Sequence, residues 1–265
     1  MTRSSRIVLA LAVAVIWVAF IAQFGQSGPE REAADAEAER TRAERRIERI
    51  AEDLAPSGTA PGANDAKDGI AALVVMDVSG SMADPVQQGG PPKIEIARRS
   101  ALALIQQFAD YATAHPGEPV LVGLYEFSQA SGEDTREVIP LSPADPQRAQ
   151  DALAGMRARG GTPIGDAMIE GKRVLDRSGL TRRHLLVVTD GENTDGREPE
   201  DVMAALSKRP AEERPSVYFV AFDIAANRFD SVRDAGGLVL AAGNERELNE
   251  TLSSLLTGKI LVEER

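Results

Sequence analysis

The sequence predicts an α/β domain: a doubly wound, mostly parallel sheet with helices on both faces, preceded by an N-terminal transmembrane helix and a charged stalk helix. Three observations carry this reading. Short, unbroken apolar runs such as Ile70–Met76 and Leu185–Thr189 have the pattern of strands buried on both faces. They alternate with stretches of helical spacing, as in Ile94, Ala97, Ala101, Leu104, Ile105 and Phe108. Short oxygen-bearing residues gather just after the runs, at Asp77, Ser79, Ser81 and Asp190, where ligands bind in such sheets.

The N-terminal segment is organised differently. Arg3 and Arg6 precede an apolar stretch from Ile7 to Ala22 that approaches spanning length. Cations on its short side favour a cytoplasmic N-terminus. No A-x-A cleavage site follows, so residues 1–28 are expected to be an uncleaved single-pass anchor. The rest of the chain is then extracytoplasmic, in a periplasm or at a cell surface. Residues 29–55 are rich in Ala, Glu and Arg, with Glu37/Arg40 and Arg45/Glu48 one turn apart, and predict a charged juxtamembrane helix. Ala43, Ile47, Ile50 and Leu54 form a narrow apolar stripe. That stripe suits either a solvated stalk or a short coiled coil or docking helix, with self-association through residues 43–54 as one outcome. Residues 56–69, "PSGTAPGANDAKDG", read as a linker.

The domain is expected over residues 70–258, with a C-terminal tail at 259–265. Strands are predicted at Ile70–Met76, Val120–Phe127, Thr135–Leu141 (a short edge strand), Leu185–Thr189, Val217–Phe222 and Gly237–Ala241. Helices are predicted from Ile94 to near His115, then at Pro146–Arg157, Ile164–Leu175, Glu200–Leu206 and Glu245–Leu256.

Composition narrows the chemistry. With 265 residues and a net charge of -11, the chain repels phosphate backbones, so nucleic acid is not an expected partner. It has no cysteine, which removes disulfides, thiol nucleophiles and Cys-based metal sites. Its two histidines, His115 and His184, are both expected away from the sheet's ligand-binding edge, as surface or capping residues.

Three segments converge on that edge. Asp77-Val78-Ser79-Gly80-Ser81 follows the first strand. In "RGGTPIGDA", Gly160-Gly161 precedes Thr162 in a loop that opens a helix at Pro163. In "LLVVTDGENTDG", Asp190-Gly191 ends a strand. Two carboxylates and three hydroxyls from separate loops make an oxygen ligand set for a hard divalent cation, Mg²⁺ first, with Mn²⁺ or Ca²⁺ as alternatives. With only two acidic ligands, the ion keeps positive character for an outside carboxylate.

"DVSGS", the threonine of "GGTPI" and the aspartate of "TDG" resemble the metal-ion-dependent adhesion site of von Willebrand factor type A domains, here of the membrane-anchored bacterial type. The resemblance spans roughly Ile70 to Leu256. It implies a Rossmann-like fold with one antiparallel edge strand. It also implies direct metal contacts from Ser79 and Ser81, direct or water-mediated contacts from Thr162 and Asp190, and a mainly water-mediated role for Asp77, which bonds the serines. A Glu or Asp of a protein partner would complete the metal's shell. Single-span bacterial proteins of this kind often act in envelope assemblies. The implied function is cation-dependent protein–protein interaction, without catalysis. Two details are specific to this chain: a polar insert, Ala83–Lys93, at the rim of the site, and Asp223, either a hydrogen-bonding loop residue or added negative potential near the metal.

Two other function classes fit less well. One is a structural protein assembled through its stalk helix. The other is a metal-dependent hydrolase. A haloacid-dehalogenase-type phosphatase needs a second Asp two residues after Asp77, where Ser79 stands. No G-x-S-x-G serine elbow or phosphate-binding P-loop is present.

Overall fold

The computed structural model describes residues 29–56, 66–86, 88–130 and 133–263. The expected membrane anchor, residues 1–28, lies outside the described residues, as do positions 57–65 of the expected linker. Among the described residues, no helix is long and apolar enough to cross a membrane. The chain divides into two compact units, residues 1–46 and 47–265. Helix α1, Pro29–Asp53, begins in the first unit and ends in the second. In the first unit its side chains from Arg31 to Arg42 are all exposed, as the Glu/Arg-rich sequence dictates.

Among the described residues, the second unit is built on six strands: β1 (Lys67–Asp77), β2 (Val120–Ala130), β3 (Glu133–Ser142), β4 (Leu180–Thr189), β5 (Ser216–Phe222) and β6 (Leu238–Ala242). They lie in the order β3-β2-β1-β4-β5-β6. All neighbours are parallel except β2 and β3, which pair antiparallel at one edge. Helices α2 (Lys93–Ala114), α3 (Pro146–Leu153), α4 (Ile164–Asp176), α5 (Pro199–Ser207) and α6 (Asp230–Asp234) lie between the strands, and α7 (Glu245–Leu255) follows β6. The alternation of β1 side chains sorts the core into two layers. Ala72, Val74 and Met76 pack with Leu104, Ile105 and Phe108 of α2 and Leu248 and Leu252 of α7. Ala71, Leu73 and Val75 pack with Met168 and Leu175 of α4 and Val202 of α5.

Several boundaries differ from expectation for identifiable reasons. β1 starts at Lys67, and β4 starts at Leu180 instead of Leu185. The early residues of β4 are charged, but the Arg182 guanidinium pairs with Glu118 and that of Arg183 with Asp176, so both enter the sheet with their charge matched. α3 ends at Leu153 instead of Arg157: beyond it the bonds tighten to three-residue steps, Gly155 N–H to the Ala152 carbonyl at 3.1 Å and Met156 N–H to the Leu153 carbonyl at 3.2 Å. His184 is not a surface residue: it lies within β4, fully buried, with Nδ1 3.3 Å from the Tyr218 hydroxyl. His115 does cap a helix, ending α2 with Nδ1 2.9 Å from the Tyr111 carbonyl.

The apolar stripe of α1 finds its partner inside the second unit. Ile50 and Leu54 are buried in the core layer that contains α4, and Ile47 packs against it. Asp53 anchors the same turn by an ion pair to Arg197 at 2.6 Å. Ile50 and Leu54 are thus part of the domain's hydrophobic core. Leu54→Ala is therefore expected to cost the domain about 2–5 kcal/mol in urea unfolding. An unchanged midpoint would show that this turn does not belong to the core.

Candidate metal centre

The strand order reverses direction between β1 and β4, which leave the centre of the sheet through connections on opposite sides. Asp77 is the last residue of β1, and Asp190 immediately follows β4. The two acidic residues therefore flank the crevice where an open α/β sheet has no covering connection.

Asp77 is fully buried and bonded on both oxygens. Oδ1 accepts the Ser79 backbone N–H at 2.7 Å, and Oδ2 accepts the Thr189 hydroxyl at 2.6 Å. One carboxylate thus fixes the turn carrying the two serines and ties the end of β1 to the end of β4. Ser79 Oγ lies 3.1 Å from Ser81 Oγ, and Ser81 Oγ donates to Asp190 Oδ1 at 2.8 Å.

The Thr162 loop is laced to the Asp190 loop. Thr162 N–H donates to Thr194 Oγ1 at 2.8 Å, Ile164 N–H to Asn193 Oδ1 at 2.9 Å, and Thr194 N–H to the Thr162 carbonyl at 3.1 Å. At Gly165 this lacing needs bare backbone, since a Cβ there would collide with the Arg197 carbonyl. A Cβ built on Gly191 would meet Thr162 Oγ1 at 3.6 Å and Ser81 Oγ at 3.9 Å, which places both hydroxyls around the same point. The structure therefore brings all five sequence-predicted residues, Asp77, Ser79, Ser81, Thr162 and Asp190, to one locus.

The oxygen set fits a small hard cation. An octahedral Mg²⁺ shell has oxygen–oxygen edges of about 3 Å, given metal–oxygen distances of about 2.1 Å. The Ser79–Ser81 and Ser81–Asp190 separations of 3.1 and 2.8 Å match such edges. Among the described residues, no group of three His, Asp or Glu side chains converges to hold a metal, so a cation here depends on the hydroxyls.

Sequence reading passed over Lys93. Its ammonium sits 3.0 Å from Asp190 Oδ2 and 3.0 Å from Asp223 Oδ2. The Ala83–Lys93 insert aims it there: its base is closed by the Lys93 N–H to Asp84 carbonyl bond at 2.9 Å and by a bridge between Pro85 and Pro92. Burial opposes the charge on Lys93, but its bonds to Asp190 and Asp223 outweigh that cost and hold its pKa above the usual lysine value. Asp223 stands at φ 56°, a left-handed conformation that few non-glycine residues adopt, with its N–H bonded to the Ala242 carbonyl at 2.8 Å. Thr189, also overlooked, is the hydroxyl that locks Asp77. Its signal was its place beside Asp190 in "TDG".

The comparisons with known proteins bear on the fold. Residues 72–192 match the family model of the von Willebrand factor type A domain. No curated protein matches the chain in sequence. Among solved structures, a von Willebrand factor type A protein from Catenulispora acidiphila is similar at 19% identity and a TM-score of 0.58, over 74% of this chain and 44% of that one. The PilB minor pilin from Streptococcus sanguinis is similar at 15% identity and a TM-score of 0.55, over 71% of this chain and 61% of that one. An aerotolerance-related membrane protein from Bacteroides fragilis, bearing multiple mutations to serines, is similar at 19% identity and a TM-score of 0.52, over 71% of this chain and 97% of that one. This chain spans less than two thirds of the first two structures, and at these identities the likeness is one of fold.

Burial, followed by the nearby negative charge of Asp190, pushes the Asp77 carboxyl up to about 6 despite its bonds from Thr189 and Ser79. A folded-state pKa raised above the ordinary 3.8 means that the folded protein binds the proton more tightly. The resulting stability is complete below the ordinary value and is lost as pH rises through about 6. In chelator, the wild type is thus expected to lose on the order of 3 kcal/mol across that window. Asp77→Asn, whose amide can donate to Thr189 Oγ1, should show no such loss in a pH series of urea unfolding curves. Parallel curves for the two proteins would refute this assignment. The family match over residues 72–192 and the strand order together give this part of the chain a fold similar to that of von Willebrand factor type A domains.

Proposed function

We propose that this domain is a cation-dependent protein-recognition module. Ser79, Ser81, Thr162 and Asp190 would hold one divalent cation, Mg²⁺ by size and ligand type, with Asp77 bonded behind them. When bound, the ion acts as a Lewis acid that accepts a carboxylate oxygen from a Glu or Asp of a protein partner. The observation that carries this reading is the convergence of two carboxylates and three hydroxyls, from three loops, at the reversal point of the sheet.

The chain's own residues set the site's charge. Asp77 and Asp190 would otherwise repel each other in a buried setting, and the Ser81 and Thr189 hydroxyls and the Lys93 ammonium offset that repulsion. Lys93 holds Asp190 Oδ2 and leaves Oδ1 facing Ser81. Its positive charge weakens cation binding and favours an anionic partner at the same rim. A non-catalytic role is supported by the histidines: His184 is buried within β4 against Tyr218, and His115 is at the end of α2. Neither offers a general base at the site.

We read residues 1–28 as a membrane anchor that places the domain outside the cytoplasm, supported by Arg3 and Arg6 ahead of the apolar run. The fold likeness to a protein described as a membrane protein, and to a minor pilin, agrees with a role at the cell envelope. Assembly through the stripe of α1 is disfavoured, because Ile50 and Leu54 are already buried in the domain's own core.

Calorimetric titration of Mg²⁺ and Mn²⁺ into the full chain in detergent is expected to give one site, lost in Asp77→Ala/Ser79→Ala. The same pair used as bait in an envelope extract should retain a partner only without chelator and only as wild type. No heat of binding in the wild type would sink the proposal. Lys93→Met is expected to raise Mg²⁺ affinity by roughly tenfold, since it removes a like charge a few ångströms from the ion. Unchanged or weaker Mg²⁺ binding would show that Lys93 does not oppose the cation.

A further inference from the structure

A second charged feature adjoins the Thr162 loop. Glu126 of β2 is buried, and its Oε1 accepts from both Arg136 Nε at 2.9 Å and Arg159 Nη2 at 3.2 Å. The Met156 carbonyl accepts from both Arg98 Nη2 and Arg157 Nη1. Four guanidiniums from α2, β3 and the loop before Thr162 are thus gathered on two acceptors. Glu126 lies among them, with Glu95 within electrostatic reach of Arg98. Burial and the neighbouring Arg157 both press the Arg98 pKa down, so the like charges are not fully compensated. In a chain of net charge -11, this is a concentrated patch of the opposite sign.

The patch is accessible and firmly placed. The Arg136 and Arg159 side chains are 47% and 46% exposed, and Arg157 is exposed as well. Each guanidinium carries five N–H donors, and the bonds made here use only a few of them. Within the patch, the buried Arg98 Nε and Glu126 Oε2 have no hydrogen-bond partner among the described residues. The patch is also continuous with the metal centre. Arg159 N–H donates to the Val78 carbonyl at 2.6 Å and Gly80 N–H to the Gly160 carbonyl at 2.9 Å, so the arginine loop runs directly beside the Asp77–Ser81 turn.

We propose that Arg136, Arg157 and Arg159, backed by Arg98, form a second recognition site that takes another carboxylate of the same acidic protein segment whose first carboxylate reaches the cation. Planar guanidinium forks match carboxylates in two-point contacts, which sets both orientation and charge preference. Glu126 positions the forks by holding Arg136 and Arg159 on one oxygen. The partner is therefore a segment with at least two acidic residues, one read by the metal and one by the arginines. The proposal rests on the cation reading only for the first of these carboxylates.

The test is fluorescence anisotropy of labelled decaglutamate, with decaglutamine as control, on the full chain in detergent, with Mg²⁺ or with chelator. Glu126→Gln/Arg136→Gln/Arg159→Gln removes the buried charge together with its partners, and Arg157→Gln keeps the Glu126 pairs intact. Each is checked for an unchanged thermal midpoint. Wild type is expected to bind decaglutamate in chelator and more tightly in Mg²⁺. The triple variant should bind about tenfold more weakly in both conditions, and Arg157→Gln should also weaken binding. Asp77→Asn should lose only the Mg²⁺-dependent gain. If wild type shows no such gain while the arginine dependence persists, the cation reading fails and the arginine site stands. Equal binding by wild type and folded variants, or equal binding of decaglutamine, would overturn the proposal. So would arginine-dependent binding of phosphatidylglycerol vesicles with none of decaglutamate, because the patch would then read a lipid surface.

Discussion

A single buried carboxylate, Asp77, is the constraint on which the site depends. Burying an ionised group is tolerable only when its oxygens are bonded, and here the bonds come from the Ser79 backbone and the Thr189 side chain. The first sets the conformation that presents Ser79 and Ser81 in one direction. The second joins the ends of β1 and β4, the two paired strands whose connections leave on opposite sides of the sheet. The carboxylate that costs the fold stability at neutral pH is thus the one that assembles the oxygen donors. A cation next to it would repay part of that cost, which links the strain of the free domain to its capacity for binding.

Around Asp77 the molecule balances charge by geometry. Asp190 splits its two oxygens between a hydroxyl facing the locus and an ammonium behind it. Asp223 accepts a left-handed backbone to share that ammonium. Gly165 lets the Thr162 and Asp190 loops approach to backbone contact, so the third hydroxyl is held by the hydrogen bonds of Thr194 and Asn193. On the α2 side the same loop carries Arg157 and Arg159, so positive charge borders the locus there as well as at Lys93. Both features suit an anionic partner.

Much of this could be read in the chain. The strands β1, β2 and β5 announce themselves as apolar runs. The five oxygen-bearing residues were legible because each follows a buried strand or opens a helix, which places it on the ligand-binding edge before any coordinate is known. What escaped has a common cause. Arg182 and Arg183 hide the start of β4 because hydropathy scores a guanidinium as solvent-facing when ion pairs in fact carry it into the sheet. Lys93 stands in the sequence as the last residue of a polar insert, and only the closed base of that insert turns it inward. His184 is expected outside the sheet because its strand is expected to begin only at Leu185, whereas β4 begins at Leu180. Ile50 and Leu54 showed an apolar stripe, but nothing in the stripe tells whether its cover is another chain or the domain that follows. The arginine cluster draws on elements from Arg98 to Arg159, which only the fold juxtaposes.

The central claim is that the hydroxyls and carboxylates at the sheet's reversal point hold a divalent cation. The most direct measurement is an anomalous difference map from crystals of the protein grown with Mn²⁺. The account predicts one strong peak in contact with Ser79 and Ser81 and adjacent to Thr162 and Asp190, and no peak in Ser79→Ala/Asp77→Ala. Manganese bound elsewhere, or an unbroken Lys93–Asp190–Ser81 network with no peak at saturating metal, would contradict it.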